Sequence, residues 1–232
     1  MKNLKVNELL FHGVRDTNYE SAINIFENIL IDKYILTHKS LREKGKIHER
    51  ENSCYQGLNA ISVCFHPINE ALSKKFQSSG ITITTELPAF YQFVDVCEPS
   101  IILDNNLLNE LPYRSFGSYK RLIDEIQVLS NIPLSYAKAI GYKDITPDLT
   151  KRFHIYKSIL VKKDNESYNK NCIDYYENVL KKELEICYQN ITIIKELLKK
   201  HNYLLNILDP LTGKKYQSFE EDEKEFKKTL FL

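Results

Sequence analysis

The stretch "LLFHGVRDTNYESAINIFENILIDKYIL", from Leu9 to Leu36, joins a short apolar run to a patterned helix. Its first five residues are typical of a buried strand that ends at Gly13. "TNYE", from Thr17 to Glu20, has the form of a capping box, in which a Thr hydroxyl and a Glu carboxylate each accept a backbone N–H. Apolar residues then recur at helical spacing and predict a helix from about Asn18 to Ile31. A His-Gly pair at a strand end indicates either a turn or a close approach of backbone to a small ligand.

Later segments predict more strands. "NAISVCF", from Asn59 to Phe65, is rich in β-branched residues, and Pro67 stops it. "GITITTEL" (80–87), "FYQFVDV" (90–96) and "SIILD" (100–104) follow as further strands. In "DEIQVLSNIP" a strand is expected from about Ile126, with Glu125 at its opening. The first part of the chain is therefore predicted to mix strands with helices.

The distribution of Pro and Gly predicts a domain boundary near residue 150. Neither residue occurs between Pro147 and Pro210, whereas both interrupt the earlier chain. We expect an α+β domain over 1–150 and a helical extension with a charged tail over 151–232.

A heptad-like stripe dominates the helical part. It consists of Leu180, Leu184, Cys187, Ile191, Ile194, Leu198, His201, Leu205 and Leu208. The favoured interpretation is a long helix that packs along the first domain. The alternative is a dimer or partner helix bound through Leu180, Leu184, Ile191, Ile194, Leu198 and Leu205.

The composition and charge limit the partners, sites and compartments that can be expected. With 32 basic and 31 acidic residues the net charge is +1, so bulk electrostatics gives no argument for a nucleic-acid or membrane partner. Five cysteines without a CxxC predict neither a disulfide framework nor a metal site. The N-terminal apolar run is too short for a signal peptide, and no segment approaches the roughly 20 apolar residues of a membrane span. We therefore expect a cytoplasmic protein, in a microbe or in a host cell.

Three features of the sequence, taken in chain order, together resemble the pattern of a known family. They are Phe11-His12-Gly13 at a strand end before a helix, the middle strand "NAISVCF", and Glu125 at the opening of "EIQVLSNIP". This order resembles the ADP-ribosyltransferase superfamily, in the branch with a His–Tyr–Glu triad that includes poly(ADP-ribose) polymerases, diphtheria-type toxins and DNA-targeting toxins. The resemblance covers roughly the first 145 residues and implies a split β-sheet core.

The resemblance also implies site residues and NAD as co-substrate. Glu125 would hydrogen-bond a ribose hydroxyl and stabilise the oxocarbenium-like state, as in glycoside cleavage. His12 would donate a hydrogen bond to the other ribose. The backbone of Gly13, which has no Cβ, would bind the nicotinamide carboxamide. Phe76 would stack on the nicotinamide ring, and Phe65 is the aromatic candidate on the middle strand.

The sequence departs from the family pattern at two positions. No Tyr occupies "NAISVCF", so Ser62 or Phe65 would replace the middle member of the triad. Ile123 stands two residues before Glu125, where arginine-modifying members carry Glu or Gln, so an arginine acceptor is not expected. Arg15 is a candidate for an NAD phosphate, or a solvated surface residue.

The expected activity is transfer of ADP-ribose from NAD to a macromolecule of unspecified type, protein or nucleic acid, by a toxin, effector or phage-conflict protein. Two alternatives stay open. One is an NAD glycohydrolase, in which water is the acceptor. The other is a non-catalytic interaction protein, in which His12-Gly13 is a plain turn, Glu125 a surface carboxylate and Phe76 a core residue.

Overall fold

The computed structural model describes residues 9–17, 20–46, 60–66, 90, 93–94, 97–115, 125–160, 166–216 and 218–230. The strands of this part are β1 (Leu9–Gly13), β2 (Tyr34–Ile35), β3 (Ile61–His66), β4 (Ser100–Asp104), β5 (Tyr113–Ser115), β6 (Glu125–Val128), β7 (Ile132–Pro133), β8 (Ala137–Gly141) and β9 (Asn206–Leu208). The helices are α1 (Ala22–Asp32), α2 (His38–Glu43), α3 (Leu107–Glu110), α4 (Thr146–Leu160), α5 (Glu166–Lys200) and α6 (Phe219–Leu230). The protein is an α+β protein.

One seven-stranded sheet organises the strands in the order β5-β6-β3-β1-β4-β8-β9. All neighbours are antiparallel except β8 and β9, which are parallel. β2 and β7 form a separate two-stranded ladder. β1 lies near the middle because its apolar residues are buried, with Leu10 and Phe11 almost inaccessible to solvent. The strands that carry the predicted site, β1, β3 and β6, are therefore neighbours.

The start of α1 differs from the prediction. The helix begins at Ala22, and its N-cap is Ser21, whose hydroxyl accepts the N–H of Asn24 at 3.3 Å. Thr17 instead closes a separate turn, in which its hydroxyl accepts the Glu20 N–H at 2.9 Å. The expected capping box is therefore not the start of this helix.

The prediction of a strand over 90–96 is also wrong for the residues of this range that the structure describes. Phe90, Phe93 and Val94 are helical, and Phe90 packs its ring edge against Phe11 at a centroid distance of 5.0 Å. Aromatic and β-branched residues fit a buried helix as well as a strand, so the short apolar run did not distinguish the two. The strand predicted over 80–87 lies outside the described residues.

The chain divides into two units, 1–143 with 197–215, and 144–196 with 216–232. The first boundary lies near the predicted residue 150, but 197–215 belongs to the first unit because β9 extends the sheet beside β8. The second unit contains α4, most of α5 and α6. Its core consists of Leu149, Phe153, Leu180, Leu184, Tyr188 and Phe226.

The heptad-like stripe is shorter than the sequence pattern indicates. α5 ends at Lys200, and Asn202 adopts a left-handed conformation with φ of 60°, which terminates the helix. Leu208 belongs to β9 and not to the helix. Leu180 and Leu184 pack inside the helical core with residues of α4 and α6.

Burial bears on the partner-helix alternative at two positions. Leu180 and Leu184 belong to the core of the second unit and are at most 1% exposed, so these two side chains are not available to a second helix.

None of the helices in the described part of the chain has the length and apolar content needed to cross a membrane.

Candidate functional site where β1 leaves β3

The candidate site lies where two neighbouring strands separate. β1 pairs with β4 along its whole length, from Leu9 to Gly13. With β3 it pairs only from Leu9 to Phe11, although β3 continues back to Ile61. The ladder between β1 and β3 therefore ends beside His12 and Gly13, and we call this unpaired end the gap.

The backbone of Gly13 points into this gap. Val14 donates its N–H to the carbonyl of Pro99, which lies opposite it, at 3.1 Å. In an antiparallel ladder, successive residues direct their backbone groups to opposite sides. Because Val14 bonds toward β4, the N–H and C=O of Gly13 point toward β3, where the ladder has already ended.

The missing side chain of Gly13 has a packing role. A Cβ built on Gly13 would lie 2.5 Å from Sγ and 2.7 Å from Cβ of Cys97. The sequence suggested that this space admits a ligand, but Cys97 occupies it. Burial raises the pKa of the Cys97 thiol to about 11, so the thiol stays protonated and unreactive near neutral pH.

His12 reaches across the gap to β3. Its Nδ1 lies 2.9 Å from the carbonyl oxygen of Ser62. Since a carbonyl only accepts, Nδ1 carries the proton and donates it. Burial lowers the pKa of His12, against the opposing effect of the Ser62 hydrogen bond, so the imidazole is neutral at pH 7. Nε2 is then a hydrogen-bond acceptor, so a hydroxyl group would donate a hydrogen bond to His12, in place of the expected donation from His12 to a ribose.

Ser62 connects His12 to Glu125. While its carbonyl accepts from His12, its hydroxyl donates to Oε1 of Glu125 at 2.9 Å. The register pairs Ser62 with Gln127 and Cys64 with Glu125, which places the side chains of Ser62 and Glu125 on one face of the sheet. A continuous hydrogen-bonded path thus joins three strands.

His12 begins from the other face of the sheet. Phe11 is the β1 residue paired with Cys64, so strand alternation directs His12 away from the face of Ser62 and Glu125. Its ring nevertheless reaches β3, where Nδ1 lies 2.9 Å from the backbone carbonyl oxygen of Ser62. His12 and Glu125 are thus linked through Ser62.

The remaining predicted residues are not brought to this path. Phe65 pairs with Leu10 and, three residues from Ser62, lies on the opposite face of β3. Arg15 is exposed and near enough to Cys97 to favour the thiolate electrostatically. Phe76 lies outside the described residues. Of the two candidates for the middle position of the triad, Ser62 is the one that contacts both His12 and Glu125.

Two further polar residues extend the site and were missed from the sequence. Gln127 is 1% exposed, and its Oε1 accepts from Nε of Arg114 at 2.7 Å. The alternation in "EIQV" already places Gln127 on the face of Glu125. Arg114 had no such signal, because β5 has only three residues and shows no readable periodicity.

Within the described ranges, no group of three or more His, Cys, Asp or Glu side chains is arranged to hold a metal ion. In comparisons with known proteins, the chain matches no family model, no curated protein and no solved structure.

Proposed function

We propose that this protein cleaves the nicotinamide–ribose bond of NAD and transfers ADP-ribose to a macromolecular acceptor. The observation that carries the proposal is the hydrogen-bonded path from His12 through Ser62 to Glu125, beside the gap into which the backbone of Gly13 points. These are the residues at which the sequence resembles the ADP-ribosyltransferase superfamily. The resemblance implies a split β-sheet core, whereas seven strands of the described residues form one continuous sheet in which β1 pairs with both β3 and β4. The proposal therefore rests on these residues and not on the shape of the sheet.

Glu125 stabilises the positive charge that develops on the ribose during cleavage. As the bond from C1′ of the ribose to the nicotinamide nitrogen breaks, its electron pair leaves with nicotinamide and the ribose gains positive character. A carboxylate that accepts a ribose hydroxyl bonds more strongly in that state than in the ground state, which accelerates the step. The acceptor nucleophile then bonds to C1′ and loses a proton. Ser62 fixes the carboxylate through Oε1.

His12 and Gly13 position the dinucleotide. The N–H and C=O of Gly13 form a donor and acceptor pair that matches a planar carboxamide. Nε2 of the neutral His12 accepts a hydrogen bond from a hydroxyl group of the second ribose. A ligand placed in the gap reaches groups from both faces of the sheet, which neither face alone provides.

The proposal is tested by incubating the protein with NAD labelled in the adenylate phosphate. We expect nicotinamide release together with label on protein or nucleic acid from a lysate. Release with all label in free ADP-ribose would identify a glycohydrolase. No release and no NAD binding would contradict the proposal and leave the non-catalytic interaction protein.

Replacing Ser62 with Ala tests the positioning of Glu125. The hydrogen bond to the carboxylate disappears, whereas the backbone carbonyl that accepts from His12 remains. We expect kcat for nicotinamide release to fall about tenfold, in keeping with the loss of one hydrogen bond to a charged group. Ser62→Thr keeps a hydroxyl and should recover most of the rate. Unchanged kcat in Ser62→Ala would show that this bond does not serve catalysis.

The lowered pKa of His12 predicts a pH effect on stability. Above its ordinary value of 6.5, the imidazole is neutral in the folded and unfolded chain. Below 6.5 the unfolded chain takes up the proton first, so the free energy of unfolding decreases and levels off below the folded pKa. Urea unfolding of the wild type and His12→Gln between pH 5 and 8 should show this decrease in their difference.

The comparison with His12→Gln isolates the effect, because His38, whose pKa burial also lowers, is present in both proteins. A difference that stays constant from pH 8 to 5 would show that His12 does not titrate below its ordinary range.

A further inference from the structure

Arg114 is an exposed cation that a buried amide holds in place. Its Nε donates to Oε1 of Gln127 at 2.7 Å, and Gln127 is 1% exposed. An exposed Arg ordinarily samples many rotamers, and a hydrogen bond to a buried partner restricts them. Gln127 therefore presents the guanidinium in a defined direction.

The guanidinium keeps binding capacity in that direction. With Nε engaged, the two terminal NH₂ groups retain the fork geometry that fits an oxyanion. Among the residues that the structure describes, no carboxylate lies within the 4.0 Å ion-pair distance of Arg114. Its charge is thus not neutralised by a described neighbour.

The position of Arg114 in the sheet separates it from the gap in which NAD is proposed to bind. Arg114 pairs with Gln127, and Gln127 pairs with Ser62, so the three form a row on the face that carries Glu125. In the strand order β5-β6-β3-β1, the strand that carries Glu125 lies between Arg114 and the gap beside Gly13. With NAD in that gap, which rests on the proposed function, Arg114 lies on the far side of β6 from the dinucleotide.

We propose that Arg114 binds a phosphate group of the acceptor, supplied by a free nucleotide or by a nucleic-acid chain. Water screens the charge pairing of an exposed Arg with a carboxylate or with a phosphate alike, so the number of acceptor oxygens distinguishes the two anions. A phosphate offers several acceptor oxygens and matches the fork of the guanidinium. The contact fixes the acceptor beside the ribose carbon that Glu125 activates, and Arg114 determines acceptor specificity without contacting NAD.

Binding is tested on the full chain, without turnover. The probes are a fluorescein-labelled single-stranded 12-mer, the mononucleotide CMP, and cytidine without phosphate. For Arg114→Gln we expect oligonucleotide affinity to fall about fivefold to tenfold, and the slope of log K against log salt to decrease by about 1. Tighter binding of the 12-mer than of CMP identifies a chain as the phosphate source, and equal binding identifies a free nucleotide.

Two variants serve as controls. Arg42→Gln removes an exposed Arg on α2 and should leave affinity and salt slope unchanged. Gln127→Met keeps the volume but removes the acceptor that holds Arg114, and should reproduce part of the loss.

Nicotinamide release from NAD without an acceptor should be the same in Arg42→Gln and the wild type, because Arg42 lies on α2 and outside the site. The assignment would be overturned if Arg114→Gln bound the oligonucleotide and CMP as tightly as the wild type does. It would also be overturned if the wild type bound an acidic peptide, added as a further probe, but neither the oligonucleotide nor CMP. Wild-type protein that binds the probes through Arg114 but releases no nicotinamide would contradict the proposed function alone.

Discussion

Glu125→Gln should lower kcat for nicotinamide release by about 10²- to 10⁴-fold while the fold stays intact. Gln keeps an oxygen that accepts the Ser62 hydroxyl, so the hydrogen bond of 2.9 Å has a replacement. What disappears is the negative charge that stabilises the ribose cation in the transition state. The effect should therefore appear in kcat, with a much smaller change in KM for NAD.

The control for this variant is Glu43→Gln. It makes the same chemical change on α2, where the exposed carboxylate has, among the residues that the structure describes, only a 4.0 Å pair with Lys39. Both variants should melt within about 2 °C of the wild type, as expected for changes below about 0.5 kcal/mol. Full activity in Glu125→Gln would remove Glu125 from the mechanism.

Gly13→Ala should decrease the free energy of unfolding by about 1–3 kcal/mol. The added Cβ would lie 2.5 Å from Sγ of Cys97, and Cys97 is buried and cannot move away cheaply. Urea denaturation measures the loss. Because the new methyl displaces β1 beside the gap, we also expect weaker NAD binding in the fraction that folds.

A double-mutant cycle separates packing from other causes. Cys97→Gly removes both atoms that clash with the new Cβ, so it should cost less in the Gly13→Ala background than in the wild type. Additive losses, or wild-type stability of Gly13→Ala, would show that Cys97 does not restrict residue 13.

Long or strongly patterned segments of this fold could be predicted from the sequence. The strand "LLFHG" is confirmed as β1, with the same bounds, and Glu125 opens β6 as expected. The apolar run of β1 and the alternation of β6 both respond to burial on a sheet, which is a local property of the sequence. The helical character of 180–200 was equally readable from its heptad-like spacing, which begins at Leu180.

Contacts between elements that are distant in the sequence explain where the predicted helix and strand were wrong. Leu205 and Leu208 fit the spacing of α5, but Asn202 ends the helix and β9 gains hydrogen bonds beside β8. Phe90 satisfied the pattern of a strand, yet it packs as part of a helix against Phe11. Where two local structures bury the same residues, the neighbouring elements decide between them.

The candidate site was predicted in part. His12, Ser62 and Glu125 were all singled out, and they form one path. The tautomer of His12 follows from a carbonyl 50 residues away, which no local pattern reveals. The packing of Gly13 against Cys97 depends likewise on the fold.

The most direct test is a crystal structure of Glu125→Gln protein soaked with NAD, since the variant should bind the dinucleotide without cleaving it. We expect the carboxamide on the backbone of Gly13, one ribose hydroxyl within about 3.2 Å of residue 125, and another at Nε2 of His12. NAD bound away from the gap between β1 and β3, or touching neither residue 125 nor His12, would contradict the account.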